Sequence, residues 1–261
     1  MADLMLSIDR HVATVTLNRP AQRNAINYDM WCQLIEVCSR LETDPQVRVV
    51  VFRGTGDEAF STGGDIREFV ARRSDPWQAK IYNGKVEMAL AGILRLTKPT
   101  IALVKGYCVG GGCELAVHCD LRIAAENAVF GMPVAKLNTL IGYGEMQRFV
   151  EIIGVGHTLD LLLTARLVDA PEARSMGLCS QIHPLDTVDA VLDDLTARMV
   201  DLAPLAQRWH KQMLQTVIHK PDLLDLTPDE AMLPDEIFNT GDYAEGVQAF
   251  LQKRKPNFKG R

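Results

Sequence analysis

The sequence predicts an α/β fold in which parallel strands alternate with helices, followed by a helical carboxyl-terminal region. Two segments carry this prediction, because each runs from an apolar strand into a glycine-bearing loop and then into a helix; they start at Val47 and Pro99. From about Glu145 onward the pattern is mostly helical, with prolines between the predicted helices. No long Gly/Ser linker separates the halves, so we expect the helical part to be an appendage to the core.

The amino-terminal half supplies most of the predicted strands. Residues 4–9 and 12–17 alternate apolar and polar positions around Asp9-Arg10-His11, which predicts a hairpin. A helix is predicted from about Tyr28 to Leu41, with its apolar residues on one face. The other elements predicted here are strands at 47–52, 99–104, 121–125 and 128–130 and helices beginning near Gly64 and at about 77–96. In the second half, residues 180–183 are predicted to form one short strand among four or more helices.

The segment from Lys105 to Asp120 contains three consecutive glycines, Gly110 to Gly112, directly before a predicted helix. Glycine loses the most backbone freedom on folding, so this triplet is costly unless something must approach the backbone closely. Amides at a helix start are unpaired and lie at the positive end of the helix dipole, where they can bind an anion or a developing oxyanion. Glu114 lies just inside this helix and places one carboxylate beside those amides.

A second loop of the same kind runs from Gly54 to Phe69 and contains Gly63 and Gly64. Either loop alone is typical of an ordinary turn. If the fold brings the two loops together, however, they supply two backbone amides that converge on one oxygen, which is the geometry of an oxyanion hole.

Composition excludes several classes of function. The 261 residues include 28 basic and 33 acidic side chains, and a net charge of -5 argues against general nucleic-acid binding. No apolar run approaches the roughly 20 residues of a membrane span. The six cysteines form no CxxC pair, and no signal peptide is recognised, so we expect a reduced, cytoplasmic protein without a metal. The basic tail from Lys253 to Arg261 is typical of a solvated chain end.

Taken together, four motifs resemble those of the enoyl-CoA hydratase/isomerase family, also called the crotonase superfamily. They are residues 18–25, 59–68, 106–120 and 249–258, and the similarity covers nearly the whole chain in order. The resemblance implies a crotonase-like core, a spiral of ββα turns over residues 1–200. It also implies a carboxyl-terminal helical region, residues 201–261, for oligomerisation and CoA contact, and a homotrimer or a hexamer built as a dimer of trimers.

The resemblance further implies a site for an acyl-CoA thioester, with coenzyme A present as part of the substrate and no permanently bound cofactor. It assigns the oxyanion amides to Gly64 and Gly111 and proton transfer to Glu114. The residues that it places against the substrate or its CoA are Gly64, Asp65, Ile66, Arg67, Phe250 and Lys253.

One family position departs from the pattern. Hydratases of this family use two glutamates around one water, and the second would follow Pro133, where this chain has Val134. Glu145, His118 and Asp65 are candidates to compensate, and Tyr143 lies beside the first of them. Each of the three also has a structural explanation: a carboxylate at a helix start, a hydrogen-bonded histidine at a helix end and a helix cap, respectively.

Several functions therefore stay open at the level of sequence. The leading one is hydration or isomerisation of an enoyl-CoA double bond through an oxyanion-stabilised enolate. The alternatives are an acyl-CoA decarboxylase, a thioester or carbon–carbon hydrolase on the same fold, and a non-catalytic acyl-CoA-binding protein. Apolar residues that could line an acyl pocket, or belong to the core, are Phe69, Trp77, Tyr82, Met88, Leu140 and Tyr143.

Overall fold

The structure is a computed structural model, and it describes residues 2–261. Its strands are β1 (Leu4–Asp9), β2 (Val12–Leu17), β3 (Val49–Gly54), β4 (Ala59–Ser61), β5 (Thr100–Val104), β6 (Tyr107–Val109), β7 (Leu121–Ala125), β8 (Val129–Gly131), β9 (Leu167–Asp169) and β10 (Gln181–His183). Its helices are α1 (Tyr28–Thr43), α2 (Phe69–Arg72), α3 (Pro76–Arg95), α4 (Gly111–His118), α5 (Tyr143–Thr164), α6 (Ala170–Met176), α7 (Val188–Val200), α8 (Pro204–His219), α9 (Pro228–Glu236) and α10 (Gly241–Leu251).

The strands form two sheets, and the chain passes repeatedly from one to the other. The six-stranded sheet has the order β1-β2-β3-β5-β7-β10, and the four-stranded sheet has the order β4-β6-β8-β9. From β3 onward, each of three successive turns contributes one strand to the large sheet, one to the small sheet and then helix. Among the strand pairs of residues 2–261, β1–β2 and β8–β9 are antiparallel and the others are parallel. This repetition produces a spiral, and it stacks the loop that follows β4 beside the loop that follows β6.

Both faces of the large sheet are buried, which explains why its central strands are almost wholly apolar. Side chains such as Phe52 and Val104 point into the main core, where α1 and α3 also pack. The alternate residues, including Val51 and Leu103, pack on the other face against Val188 of α7. Strands β3 and β5, which lead through β4 and β6 to the glycine loops, are therefore held on both sides.

The predicted α/β class, the amino-terminal hairpin and the long helices are confirmed. Leu4 pairs with Leu17 in the hairpin, and α1 extends two residues beyond its predicted end. The prediction of a helix near Gly64 is wrong, because the chain there forms a 3₁₀ turn, Ile66–Glu68, before the four-residue α2. Strands β4, β6 and β9 were not predicted, since three residues are too few to show a periodic pattern.

The carboxyl-terminal helices contact the core through polar groups. The Lys211 ammonium on α8 donates to the Leu96 carbonyl at 2.6 Å and pairs with Asp120 at 2.7 Å. Arg48, which precedes β3, donates to the carbonyls of Val200 and Phe258. The division of the chain at residue 200 stays a prediction.

Candidate active site

The two glycine loops touch each other at the backbone. Gly63 has a φ of 92°, and a Cβ atom on it would lie 2.9 Å from both the Gly111 nitrogen and the Val109 oxygen. A Cβ atom on Gly112 would lie 2.5 Å from the Ser61 oxygen. Real Cβ atoms do not approach other atoms so closely, so these positions need glycine for contact as well as for conformation. The fold therefore brings together the two loops that the sequence singled out.

Gly64 and Gly111 line the same cavity and lie close together. The Gly64 nitrogen lies 3.3 Å from the position that a Cβ on Gly111 would occupy. Within residues 2–261, neither amide donates a hydrogen bond to a backbone or side-chain acceptor. Gly111 is the first residue of α4, so its amide also lies at the positive end of that helix. Two such donors can hold one oxygen that carries negative charge.

A cavity of about 140 Å³ opens beside these amides. Among the described residues that line it, Glu114 is the one acid and Arg73 the one base. Val134 also lines it, as do Pro133 and Thr139. The other lining residues are Trp31, Thr62, Gly63, Gly64, Ile66, Phe69, Tyr82, Val86, Val109, Gly110, Gly111, Leu137 and Leu140.

Glu114 lies in the first turn of α4, two residues after the last glycine of the triplet. The turn is set by Gly110, which caps the helix with a φ of 53°. The Glu114 side chain is buried, and its pKa is raised from the ordinary 4.5 to about 7. Burial is the largest cause of this rise, the negative charge of Glu145 contributes to it, and the positive charge of Arg73 opposes both effects. A carboxyl group of this kind can gain and lose a proton near neutral pH.

Burial of Glu114 should make the protein less stable as pH rises. The folded pKa lies above the ordinary value, so the cost is absent below pH 4.5 and complete above pH 7. At about 1.4 kcal/mol per pKa unit, the ionised carboxylate costs about 3 kcal/mol. We therefore expect Glu114→Gln to raise the Tm at pH 8 relative to wild type by more than it does at pH 5. A difference in Tm that is the same at both pH values would contradict this.

Two of the candidates for compensating Val134 have structural roles instead. The Nδ1 atom of His118 lies 2.7 Å from the Glu114 carbonyl oxygen, and because a carbonyl only accepts, Nδ1 carries the proton. Burial lowers the pKa of His118 to about 4, so the ring is neutral at pH 7. Asp65 caps the 3₁₀ turn and pairs with Arg19 at 2.9 Å. Burial alone would raise the pKa of Asp65, but bonds from Arg67 and Arg19 outweigh this and lower it.

Glu145 is buried at the start of α5, and it lies outside the lining of the Glu114 cavity. It lines a separate cleft of about 650 Å³, together with Glu87 and His118. Burial raises its pKa, and Glu87 adds to the rise. From outside the cavity lining, the negative charge of Glu145 raises the pKa of Glu114. Its neighbour Tyr143 is 95% exposed.

The residues expected against the substrate or its CoA do not lie at one place: Gly64 lines the cavity, Asp65 is buried, and others are exposed. Ile66 lines the cavity, and the exposed side chain of Arg67 is paired with Asp65 at 3.1 Å. Phe250 is exposed beside a third cleft, of about 420 Å³, formed by the carboxyl-terminal helices. Neither Phe250 nor Lys253 lines the Glu114 cavity within the described part of one chain.

Sequence reasoning identified part of the cavity lining and missed the rest. Phe69, Tyr82 and Leu140 line the cavity, whereas Trp77 and Met88 are exposed elsewhere. Trp31 was expected only on the buried face of α1 and in fact reaches the cavity. Arg73 was missed altogether, and no local pattern marks it, because the four-residue helix that it follows is too short to show a periodic pattern.

The cysteines are free thiols, and five of the six are buried. Burial raises the pKa of Cys108 and of Cys119 far above their ordinary value. Residues 2–261 contain no group of three or more His, Cys, Asp or Glu side chains placed to hold a metal ion. No helix in the same range is long and apolar enough to cross a bilayer.

Comparison with known proteins gives a consistent result along the whole chain. The family model described as enoyl-CoA hydratase/isomerase matches residues 7–261. The 2,3-dehydroadipyl-CoA hydratase of Escherichia coli is 35% identical over 264 residues, which cover 100% of both chains. The short-chain-enoyl-CoA hydratase of Clostridium acetobutylicum is 33% identical over 261 residues, covering 99% of this chain and 98% of that one.

Solved structures agree with these sequence relatives. An enoyl-CoA hydratase/carnithine racemase from Magnetospirillum magneticum superposes with a TM-score of 0.96 at 37% identity, covering 100% of this chain and 97% of that one. An enoyl-CoA hydratase from Bacillus anthracis superposes with a TM-score of 0.91 at 28% identity, covering 100% of both. The predicted crotonase-like fold and the predicted family are thereby confirmed. This chain belongs to the enoyl-CoA hydratase/isomerase family.

Proposed function

We propose that this protein adds water across the 2,3 double bond of an enoyl-CoA thioester, with Glu114 as its proton-transferring residue. The observation that carries this proposal is the cavity in which the Glu114 carboxyl group lies beside the free amides of Gly64 and Gly111. The hydratase names of the relatives, whose printed substrates include short-chain enoyl-CoA and 2,3-dehydroadipyl-CoA, support the same reaction class.

The two amides would act on the thioester oxygen. When a nucleophile adds at C3, the double-bond electrons move toward C2 and onto that oxygen, which becomes an enolate oxyanion. Donors already aimed at this position lose no energy to reorganisation, and one such donor is worth about 3 kcal/mol to the transition state. The start of α4 adds the positive end of its dipole.

A single carboxyl group can complete the proton balance. Ionised Glu114 takes one proton from a water molecule while the water oxygen bonds to C3, and the enolate forms. Protonated Glu114 then gives that proton to C2, and the enolate electrons form the new C–H bond. Because burial and the charge of Glu145 together raise its pKa to about 7 against the effect of Arg73, Glu114 can perform both steps near neutral pH.

The presence of Val134 favours double-bond isomerisation as a second candidate reaction. Its hydrocarbon side chain lines the cavity where the family pattern has a glutamate, and it cannot hold or transfer a proton. Shifting a double bond needs one proton to leave C2 and one to be added at C4. A single carboxylate can carry that proton, with the same two amides holding the dienolate.

Product analysis separates these reactions. Purified protein is mixed with crotonyl-CoA in deuterated water and followed by proton NMR, and 3-butenoyl-CoA is used in a second sample. We expect 3-hydroxybutyryl-CoA from the first sample. Conversion of 3-butenoyl-CoA without any hydration would select isomerisation. Release of the free CoA thiol would select a hydrolase, and binding without turnover or exchange would select a non-catalytic protein.

The pH dependence of kcat/KM should shift when Glu145 is replaced by an uncharged residue. We expect kcat/KM to fall on the acid side of a pKa near 7, because protonated Glu114 cannot accept a proton from water. Glu145→Gln removes a negative charge that disfavours ionised Glu114. The acid-side fall of kcat/KM, which we call the acid limb of the pH–rate profile, should therefore move to lower pH. A pH–rate profile of both proteins measures the shift. A limb that stays in place or moves to higher pH would contradict the electrostatic role.

We also propose that the protein is a cytoplasmic homotrimer or a dimer of trimers. The carboxyl-terminal helices leave apolar side chains exposed in a single chain, among them Phe250 at 83% and Leu251 at 74%. Assembly could cover this surface and bring Phe250 and Lys253 to the CoA of a neighbouring chain, while Arg67 meets the CoA phosphates. Light scattering should give three or six times 28.9 kDa.

A further inference from the structure

The Glu114 cavity contains a positively charged side chain that has no role in the proposed reaction. Arg73 directly follows α2, and its side chain is half-buried in the cavity lining. Its guanidinium carbon lies 4.1 Å from the centre of the Phe69 ring and 4.3 Å from the centre of the Tyr82 ring. Aromatic faces stabilise the cation, but they offer no acceptor for its N–H groups.

Arg73 has no anionic partner within residues 2–261. It forms no ion pair within 4.0 Å, and its buried Nε makes no hydrogen bond. Burial lowers the pKa of Arg73, while Tyr82 and Glu114 oppose the change, and an arginine in a protein keeps its charge. A partly desolvated cation without a partner is costly, so a ligand that supplies negative charge would gain from it.

Trp31 and Tyr82 complete the wall of the cavity beside Arg73, and both side chains are only 1% exposed. Trp31 lies 3.2 Å from the position of a Cβ on Gly111, and the Tyr82 hydroxyl lies 3.6 Å from that on Gly64. The Trp31 indole donates toward the Tyr82 hydroxyl, so these two polar groups interact with each other. Neither of them supplies a negative charge to Arg73.

A plain hydrocarbon chain would leave the Arg73 guanidinium without an anionic partner. The thioester oxygen is already accounted for by the two glycine amides, and Glu114 acts at C2 and C3. We propose, on the basis of the proposed function, that the acyl group carries a carboxylate beyond C3 and that Arg73 binds it. The substrate class is thus a carboxylated acyl-CoA, and Arg73 is the residue that selects it from uncharged acyl chains of the same length.

Binding tests this inference without requiring turnover. Isothermal titration compares saturated acyl-CoA thioesters of four, five and six acyl carbons that end in a carboxylate with those that end in a methyl group. We expect at least one carboxylated member to bind at least about tenfold more tightly than its methyl counterpart. Arg73→Met should abolish this preference and leave the methyl series within about threefold of wild type.

The neighbouring arginine provides a matched control. Arg72 also stacks on an aromatic ring, that of Tyr28 at 4.2 Å, but it does not line the cavity. Arg72→Met should therefore keep the preference for the carboxylated thioester. Equal or weaker binding of every carboxylated member by wild type, or an undiminished preference in Arg73→Met, would overturn the inference.

Turnover of the matching 2-enoyl thioesters separates this inference from the proposed function. Because Arg73 also acts on the pKa of Glu114, the informative quantity is the ratio of kcat/KM for the carboxylated and methyl substrates at one pH. We expect that ratio to fall at least about tenfold in Arg73→Met. Conversion of both substrates at equal rates by wild type would overturn the inference and keep the function. Tight carboxylate binding without any turnover would overturn the function and keep the inference.

Discussion

Glu114→Gln should lower kcat by about 10²- to 10⁴-fold while KM changes little. Glutamine keeps the size of the side chain, but it can neither take a proton from water nor return one to C2. Among the described residues that line the cavity, Glu114 is the one carboxyl group, so no neighbour in the lining can replace it. Steady-state kinetics with an enoyl-CoA substrate measures the effect.

Glu145→Gln is the matched control, since it removes a second buried carboxylate from outside the cavity lining. At its own optimal pH, this variant should keep kcat within about tenfold of wild type, because the charge acts only through Glu114. If Glu145→Gln lost as much activity as Glu114→Gln, the single-carboxylate proposal would be wrong. Nearly full activity in Glu114→Gln would also refute it.

Gly63→Ala should lower kcat by about 10²- to 10³-fold through the oxyanion amides. The new Cβ would lie 2.9 Å from the Gly111 nitrogen and from the Val109 oxygen, both of which are backbone atoms. The two loops must therefore separate, and the amides of Gly64 and Gly111 lose their common target. Kinetics that isolate the chemical step, together with thermal unfolding, distinguish this from loss of fold.

Gly56→Ala separates the effect of contact from that of backbone strain. Gly56 also has a positive φ, 77°, but a Cβ there would meet no atom within 4 Å. In both variants, alanine in a left-handed backbone conformation should lower the free energy of unfolding by about 1–2 kcal/mol. Only Gly63→Ala should also have a lower kcat. Equal kcat in the two variants would mean that loop contact does not position the amides.

The sequence was sufficient to identify the two glycine loops and the Glu114 carboxylate that follows the second of them. Each loop lies a few residues beyond an apolar strand, β3 or β5, and the triplet Gly110 to Gly112 precedes an apolar helix, so local pattern and local conformation agree. The long helices and the hairpin were predictable for the same reason. What the sequence could only suggest was that the loops meet, because that contact depends on the stacking of successive turns of the spiral.

The other residues that line the cavity could not be predicted from local sequence patterns. Trp31 and Arg73 reach it from elements that are distant in sequence, and the periodicity of α1 indicates only that Trp31 is buried. Tyr143 and Trp77 were plausible lining residues by type, yet their helices present them to the surface of the single chain. The charge effect of Glu145 on Glu114 likewise required the packing of α4 against α5.

The most direct test of the central proposal is deuterium exchange at C2 of a saturated acyl-CoA thioester, followed by proton NMR in deuterated water. Exchange requires both the oxyanion amides and a carboxylate that moves the C2 proton, and it is independent of water addition. The thioester should be butyryl-CoA or the best-bound carboxylated analogue. We predict exchange in wild type and in Glu145→Gln, and its loss in Glu114→Gln. Exchange in Glu114→Gln at the wild-type rate would contradict the proposal.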